Sequence, residues 1–555
     1  MARIDTLGHF LTDVADAIRT KTGSSDTISA EDFDTEIENI PSGGSSSEED
    51  VIFYDYDGTK LHSYSKTDFL ALNEMPSNPA HSGLTSQGWN WALNDAKTYV
   101  TNYDKLNIGQ IYNTDDDKTR IYISLEDDGR LSPCLGFAVN GTVTVNWGDG
   151  SEPELITGTN TTKLISTKHI YNNVGDYTIT LYSESPIYLQ GNSDNGSYLL
   201  HDKENMSTTN TVYQNAIQKI ELNDNVQINA SSFCNCYSLS SITIPNNITD
   251  INTNVFKNCY SLSSVTIPST VTSISNNAFY SCHSLSSVTI PSTVTSISST
   301  AFSNCVSLLS VTIPSGVIRI LSETFSGCRS LSSVTIPSGV IGIGANAFNG
   351  CYSLSSVTIP DGVRSIEGYA FSNCYSLSSV TIPSTITSID MNVFSTCTSL
   401  SSVIIPSGVT SISNNAFSNC TLLSSVTIPS TVTSISNNAF SGCYSLSSVT
   451  IPSGVTSIGA NAFSTCRSLS SVIIPSTVTS IGANAFSTCS SVFYYDFSQH
   501  ISIPTLGNAY VFNVNAPDYK IIVPDNLYED WITAANWSNV NIVNHIIKKS
   551  DWDNL

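Results

Sequence analysis

The chain has 555 residues, with 46 acidic side chains against 22 basic ones and a net charge of −24, so it is long enough for several domains and strongly acidic. Such a charge balance repels phosphate backbones, which excludes nucleic acid as an expected partner, and no apolar run approaches the ~20 residues of a membrane span. The acidity is uneven. Residues 237–489 carry five acids (Asp250, Glu323, Asp361, Glu367, Asp390) and five bases (Lys257, Arg319, Arg329, Arg364, Arg467), so this stretch is neutral and the flanks hold the net charge.

Residues 5–21 have helical spacing, with Ile4, Leu7, Leu11, Val14 and Ile18 forming a short heptad-like stripe that ends at Gly23. The segment lacks the apolar core and cleavage site of a secretory signal, so export by that route is not expected. A second helix is predicted from Ser29, with Asp32 in a capping-box variant and Ile28 stapling to Phe33, continuing through Ile37 and Ile40 to Pro41. Residues 1–41 therefore either close on themselves as a hairpin or offer the stripe for oligomerisation or docking. Residues 42–50 (Gly43 to Ser47, then Glu48, Glu49 and Asp50) form a flexible linker.

Residues 51–117 are predicted as a small α+β module: a strand at Val51–Tyr56, a hairpin turn at Asp57-Gly58 and a helix from Trp89 to Tyr103. Asp55 and Asp57 lack the later carboxylates of a calcium loop, so a solvated turn is expected. The run from Leu11 to Gly23, then Ile28 to Phe33, together with Tyr56-Asp57-Gly58-Thr59, Gly88-Trp89-Asn90-Trp91 and Asp95-Ala96-Lys97, resembles the N-terminal segment of tail-associated proteins of phages and prophages of Gram-positive gut bacteria. That resemblance implies docking of the N-terminus on a phage tail or baseplate protein. Likeness to tail fibres further implies a homo-oligomer, with a trimer favoured.

Residues 118–186 alternate or run β-branched at Arg120–Leu125, Thr142–Asn146 and Tyr177–Tyr182. The run from Val145 to Ser151 (V-N-W-G-D-G-S), followed by His169, Tyr171, Gly175 and Tyr177, is similar to the PKD-domain pattern, which implies an immunoglobulin-like β-sandwich serving as a spacer. Trp147 is then a core residue and Asp149-Gly150 a turn. No nucleophile accompanies Asp149 and His169. Residues 187–215 are polar and irregular and read as a connector.

The stretch 216–497 is dominated by one repeated 23-residue unit. Cysteines at 236, 259, 282, 305, 328, 351, 374, 397, 420, 443, 466 and 489 keep register, each with a Phe three residues before it and a Leu three after, until Val492 closes the series. A fixed period of this length indicates a solenoid whose units bury their apolar faces against each other. In Ser287-Val288-Thr289-Ile290-Pro291, Val and Ile share one side of a strand, Ser and Thr the other, and Pro291 ends it. Asn and Gly near 276–277 and 459–461 supply turns. At strand spacing, twelve rungs make a rod on the order of 50–60 Å long.

This pattern resembles the BspA-like (Treponema pallidum-type) leucine-rich repeats, which imply a right-handed, mainly β solenoid. Residues 216–235 look like a degenerate N-terminal capping repeat. Residues 498–555, with Tyr519 to Pro524 and Trp531 through Ser538, resemble the cap that ends such arrays.

Twelve cysteines in one ladder fit a buried thiol stack, although adjacent rungs also lie within reach of disulfides. Their spacing cannot wrap four thiolates around a metal, and no cofactor motif is present. No fixed acid or base accompanies the repeat serines, so the chain reads as non-enzymatic.

Two surfaces remain. One is the outward Ser/Thr ladder, such as Ser264/Thr266, Ser356/Thr358 and Ser448/Thr450. The other is the variable position after each Cys, which holds Tyr237, Tyr260, His283, Arg329, Tyr352, Tyr375, Tyr444 and Arg467. Rigid Tyr and Arg suit contact with a bacterial surface glycan or protein, by stacking and hydrogen bonding, unless they merely shield the turn. The sequence thus predicts a phage or prophage tail-associated adhesin. Its alternatives are a bacterial cell-surface repeat adhesin and a virion decoration without a receptor.

Overall fold

The structure is a computed structural model that describes residues 50–54, 60–77, 79–80, 84–89, 93–102, 106–114, 116–192, 196–201, 213, 215–512 and 518–555. The docking stripe Ile4, Leu7, Leu11, Val14 and Ile18, the second predicted helix from Ser29, linker residues 42–49 and the turn with Asp55 and Asp57 lie outside the described residues. Asp50, expected as the linker's last residue, is instead hydrogen-bonded into the first sheet, donating to Tyr64 O at 3.0 Å and accepting from Leu106 N at 2.8 Å.

A parallel β-solenoid dominates. Each rung contributes a three-residue strand and a two-residue strand, such as Ser287–Thr289 and Ser296–Ile297. Both rows stack in strict 23-residue register: Ser264 on Ser287, Val265 on Val288, Thr266 on Thr289, and Ser273 on Ser296 with Ile274 on Ile297. The alternation works as the sequence predicts, because successive side chains of a strand point to opposite faces. Leu354 and Ile359 are buried while Ser356 and Thr358 are exposed.

Inside, phenylalanines 233 to 486 form a continuous spine, with ring centroids 5.1–5.7 Å apart and planes within 4–17°. The cysteines lie beside it as free thiols. Each Sγ from Cys259 onward donates to the carbonyl of the Phe in the preceding rung, for example Cys282 to Phe256 O at 3.1 Å and Cys351 to Phe325 O at 3.3 Å. The thiol is thus a small apolar filler with a hydrogen-bonding task, which explains why Cys recurs rather than Ala. Burial pushes these thiols well above their usual range, Cys328, Cys397 and Cys443 to about 12.

Two left-handed residues turn each rung. One precedes the Phe by two positions (Asn277, Asn415, Asn461); the other immediately precedes the Cys (Asn258, Asn373, Gly327). Asn and Gly tolerate this region best, yet Glu323, Tyr369, Thr396 and Thr465 adopt it too, at φ 60°, 63°, 62° and 61°.

The N-terminal end of the rod departs from expectation. Residues 216–235 form a full rung, with strands Ile217–Glu221 and Val226–Ile228. The region before it supplies β5 (Thr119–Leu125), β6 (Cys134–Asn146), β7 (Glu154–Lys168), β8 (Gly175–Tyr182) and β9 (Ile187–Leu189), β1–β4 belonging to the preceding module described below. β5 pairs antiparallel with Ile217–Glu221, and β9 pairs parallel with Val226–Ile228. β8 lies between β5 and β6, while β7 and β9 both pair with β6.

Hence the PKD-like pattern does mark core residues, since Trp147 and Tyr171 are buried. Its strands are not a detached sandwich, however. They run into the solenoid sheet and share its apolar core, because the first rung would otherwise leave both strand edges unpaired. The expected connector is likewise structured where described: it contributes β9 and the buried Leu189, Leu199 and Leu200.

The module before this combines a sheet with two helices. β1 (Val51–Tyr54), β2 (Lys60–Tyr64), β3 (Leu84–Trp89) and β4 (Leu106–Thr114) form a sheet in the order β2-β1-β4-β3, accompanied by α1 (Lys66–Ala71) and α2 (Leu93–Asn102). Its own core holds Val51, Phe53, Phe69, Val100 and Ile108. The predicted helix start at Trp89 is corrected: Trp89 ends β3, where the antiparallel partner strand holds it opposite Gln110.

At the far end, Tyr494–Asp496, Lys520–Val523 and Ile546–Lys548 continue the first strand row, and Thr505–Leu506 the second. Phe497, Phe512, Trp531 and Trp537 pack edge-on or tilted beneath the last regular rung and seal it.

Candidate binding surfaces

The position after each Cys forms a line along the rod, broken into three stacks. Tyr237, Tyr260 and His283 lie face to face at 4.8 and 4.7 Å, with planes within 4°. Val306 interrupts them. Arg329 then covers the ring of Tyr352 at 5.6 Å, and Tyr352 stacks on Tyr375 at 4.6 Å. Thr398 and Thr421 interrupt again before Tyr444, which carries Arg467 at 4.9 Å. All eight predicted residues share this line.

Row neighbours cover both faces of Tyr260 and Tyr352 and one face each of Tyr237, His283, Tyr375 and Tyr444, which reduces the ring surface open to stacking. What the row presents outward is ring edges and polar tips. Burial in the stack raises the Tyr237 phenol, with Tyr260 adding to the effect, and lowers the His283 imidazole, with Arg329 adding to that.

The strand face is the second surface. Its early rungs are covered: Thr243, Ser287 and Ser310 are buried, and α2 lies against Ser310–Thr312. From Ser356 to Thr450 the outward Ser and Thr are exposed. A third rank precedes them, in which each Ser Oγ donates to the main chain one rung back: Ser355 to Ser332 O at 3.4 Å, Ser401 to Ser378 O at 3.3 Å, Ser470 to Ser447 O at 3.2 Å. Two positions depart from the Ser/Thr rule, Ile404 and Ile473, which are 76% and 60% exposed.

Sequence reasoning missed a shallow groove of about 560 Å³ over the second strand row, lined by Ser434, Ser457, Ser480 and Thr505. Its glycines are required by close rung approach: a Cβ at Gly459, Gly482 or Gly507 would meet the preceding rung's backbone at 2.6, 2.3 or 2.4 Å.

Asp149 and His169 do meet, with Nε2 of His169 2.8 Å from the carboxylate. The imidazole also stacks on Trp147 at 4.6 Å, and Ser151 Oγ donates to Asp149 rather than to the histidine. Burial works to raise the Asp149 pKa, but the hydrogen bonds from Ser151 and His169 outweigh it and hold the carboxyl down at about 2. With the hydroxyl turned to the carboxylate, this cluster fastens the turn after β6 and does not form a relay. Among the described residues, no group of three or more His, Cys, Asp or Glu could hold a metal ion, and no helix is long and apolar enough to cross a membrane.

Comparison with known proteins agrees with the rung geometry. Residues 208–332, 318–446 and 411–529 match the BspA type leucine rich repeat region, together more than half of the chain. The chain belongs to the BspA type leucine rich repeat family. Among solved structures, it is similar to a leucine-rich repeat protein from Bacteroides ovatus, at 24% identity, covering 62% of this chain and 97% of that one with a TM-score of 0.48. It is also similar to a leucine rich cell surface protein from Faecalibacterium prausnitzii, at 32% identity over 51% of this chain and 91% of that one, TM-score 0.38. The T. pallidum leucine rich repeat protein is 35% identical over 29% of this chain and 78% of its own, TM-score 0.28. No curated protein matches the chain.

Proposed function

We propose that this protein is a non-enzymatic adhesin of the bacterial cell-surface leucine-rich-repeat type, holding a receptor on the side of its rod. The observation that carries this reading is the exposed strand face from Ser356 to Thr450. There the sequence keeps an outward Ser/Thr pattern rung after rung, although it does no work in the core. The variable row from Tyr237 to Arg467 offers a second contact line. The F. prausnitzii relative, a cell surface protein, supports the compartment.

The test is binding of the labelled full chain to bacterial and host cells, compared with a chain in which Thr358, Thr381 and Thr427 are replaced by Glu. The reading expects binding by the parent and loss in the variant with an unchanged melt. Failure of the parent to bind any cell surface would sink it.

A second reading is favoured by the N-terminal resemblance at Leu11 to Gly23. In it the chain is a phage or prophage tail-associated receptor-binding protein, docked on a tail or baseplate protein through Ile4, Leu7, Leu11, Val14 and Ile18 and assembled as a homo-oligomer, with a trimer favoured. A chain lacking residues 1–41 should then be missing from purified particles. Its presence there at normal copy number removes the docking role.

A further inference from the structure

The last regular rung is followed by one in which the pattern changes abruptly. Where Ser470-Ser471-Val472-Ile473 stand, the next rung places Phe493-Tyr494-Tyr495-Asp496, with Tyr494 on Ser471 and Asp496 on Ile473. Tyr495 keeps the inward position and is buried, whereas Phe493 is 60% exposed. Trp552, from the short C-terminal helix, joins the pair, its ring 5.8 Å from Phe493 and 5.3 Å from Tyr494. The rung itself does not require Phe493, because the same position is served by Ser in the rungs before it; its ring packs on Trp552 and leaves the rest in solvent. Its amide donates to Ser470 O at 2.8 Å just as theirs do.

The aromatic cluster therefore sits at the end of the exposed hydroxyl face and in line with it. Seven rungs of that face, from Ser333 to Ile473, carry no charged side chain at the outward strand positions. The rank of Ser355, Ser378, Ser401, Ser424, Ser447 and Ser470 spends its protons on the main chain, with Oγ···O distances of 3.2–3.4 Å. Its oxygen lone pairs are thereby left as an ordered row of acceptors. The neighbouring side chains of Ser356, Thr358, Ser425 and Thr427 are exposed, so their hydroxyls can donate or accept toward a ligand. Ile404 and Ile473 add apolar contact within the same face. The charges that flank the cluster in the adjacent rungs and the C-terminal helix balance, Asp496, Asp551 and Asp553 against Lys520, Lys548 and Lys549, with Lys549 paired to Asp553.

From this we infer that the strand face from Ser355 to Ile473, with Phe493, Tyr494 and Trp552 at its end, is a binding site for a neutral polysaccharide. A chain of hydroxyl-rich sugar rings lies along the acceptor rank, and one ring packs its C–H face on the aromatic cluster. The absence of charge at the outward strand positions, and the balance of charges at the aromatic end, disfavour an acidic polymer or a charged protein surface, because a charge buried against the hydroxyl face would lack a partner. Amphipathic rings with exposed edges suit a ligand that is apolar on one face and polar at its rim. The inference rests on the adhesin reading and names its ligand class.

The test is affinity electrophoresis of the full chain through native gels containing mannan, a neutral β-glucan or a neutral galactan, with polygalacturonate as the acidic comparison. Retardation is expected in at least one neutral gel, persisting at high salt. Phe493→Ala and Trp552→Ala should each weaken it by about tenfold, the usual cost of losing a central aromatic contact. Phe493 is the safer variant, since its side chain is mostly in solvent; a thermal melt checks both folds. Retardation by none of the neutral polymers, or equal retardation of the Phe493→Ala variant, overturns the assignment. Cell binding that survives the variant and excess neutral polysaccharide overturns it too, while leaving the adhesin reading in place. Retardation without binding to any cell does the reverse.

Discussion

The thiol ladder makes the protein sensitive to alkali in a way that can be worked out in advance. Twelve cysteines, from Cys236 to Cys489, are fully or almost fully buried, and burial raises every one of their pKa values. In the unfolded chain the same thiols ionise near ~8.5. The folded state therefore holds more protons than the unfolded state once the pH passes that value, and the stability these groups contribute below it is lost as the pH rises. Each thiol costs about 1.4 kcal/mol per pH unit above ~8.5. At about pH 9.5 the ladder as a whole would cost roughly 17 kcal/mol, more than the ~5–15 kcal/mol that a typical domain has to spare.

The buried tyrosines and the lysines do not confuse the window, because in an unfolded chain they ionise only above ~10. The assay is urea unfolding under reductant at about pH 7, 8.5 and 9.5, followed by circular dichroism. A steep fall in midpoint between the last two is expected. Replacing Cys351, Cys374 and Cys397 with Ala should lower stability at every pH yet reduce the alkaline slope by about a quarter. A flat profile between about pH 8.5 and 9.5, or an unchanged slope in the triple variant, would refute the linkage argument.

Three further outcomes are expected. Leu354→Ala, in a fully buried position flanked by the equally buried Leu331 and Leu377, should cost about 3–4 kcal/mol, since fixed rungs on both sides prevent collapse of the cavity. The exposed Thr358→Ala should stay within about 0.5 kcal/mol; equal losses in denaturant melts would mean that the facing is wrong. Tyr369→Asn should stabilise by up to about 1 kcal/mol, because φ of 63° suits Asn and strains Tyr; a lower melting temperature would contradict this. A chain starting at residue 187 loses β5 from the edge of Ile217–Glu221, so it should melt earlier or aggregate, whereas one starting at 116 should not. Equal melts for the two would show that β5 does not cap the rod.

How much of this was legible beforehand differs along the chain. Repetition exposes whatever each rung does twelve times over. The inward set of Phe, Cys, Leu, Val and Ile, the outward Ser and Thr, and the line of Tyr, His and Arg all follow from a period of 23 residues combined with the twofold alternation of a strand. Those features are local and nearest-neighbour, so sequence alone determined them.

What happens where the repetition stops was decided only by tertiary structure. β5 and β9 are separated from the strands they cover by residues of no periodicity, and their pairing reflects the need of an open edge for a partner. The mutual covering of the Tyr faces depends on ring orientation, which spacing does not encode. Phe493 and Trp552 lie 59 residues apart in sequence, and only the continued rungs at Lys520–Val523 and Ile546–Lys548 bring the C-terminal helix back over the strand face. The sequence thus determined the rung, and the fold determined its ends, because a rung is closed by copies of itself while an end must recruit whatever other chain can satisfy its edge and core.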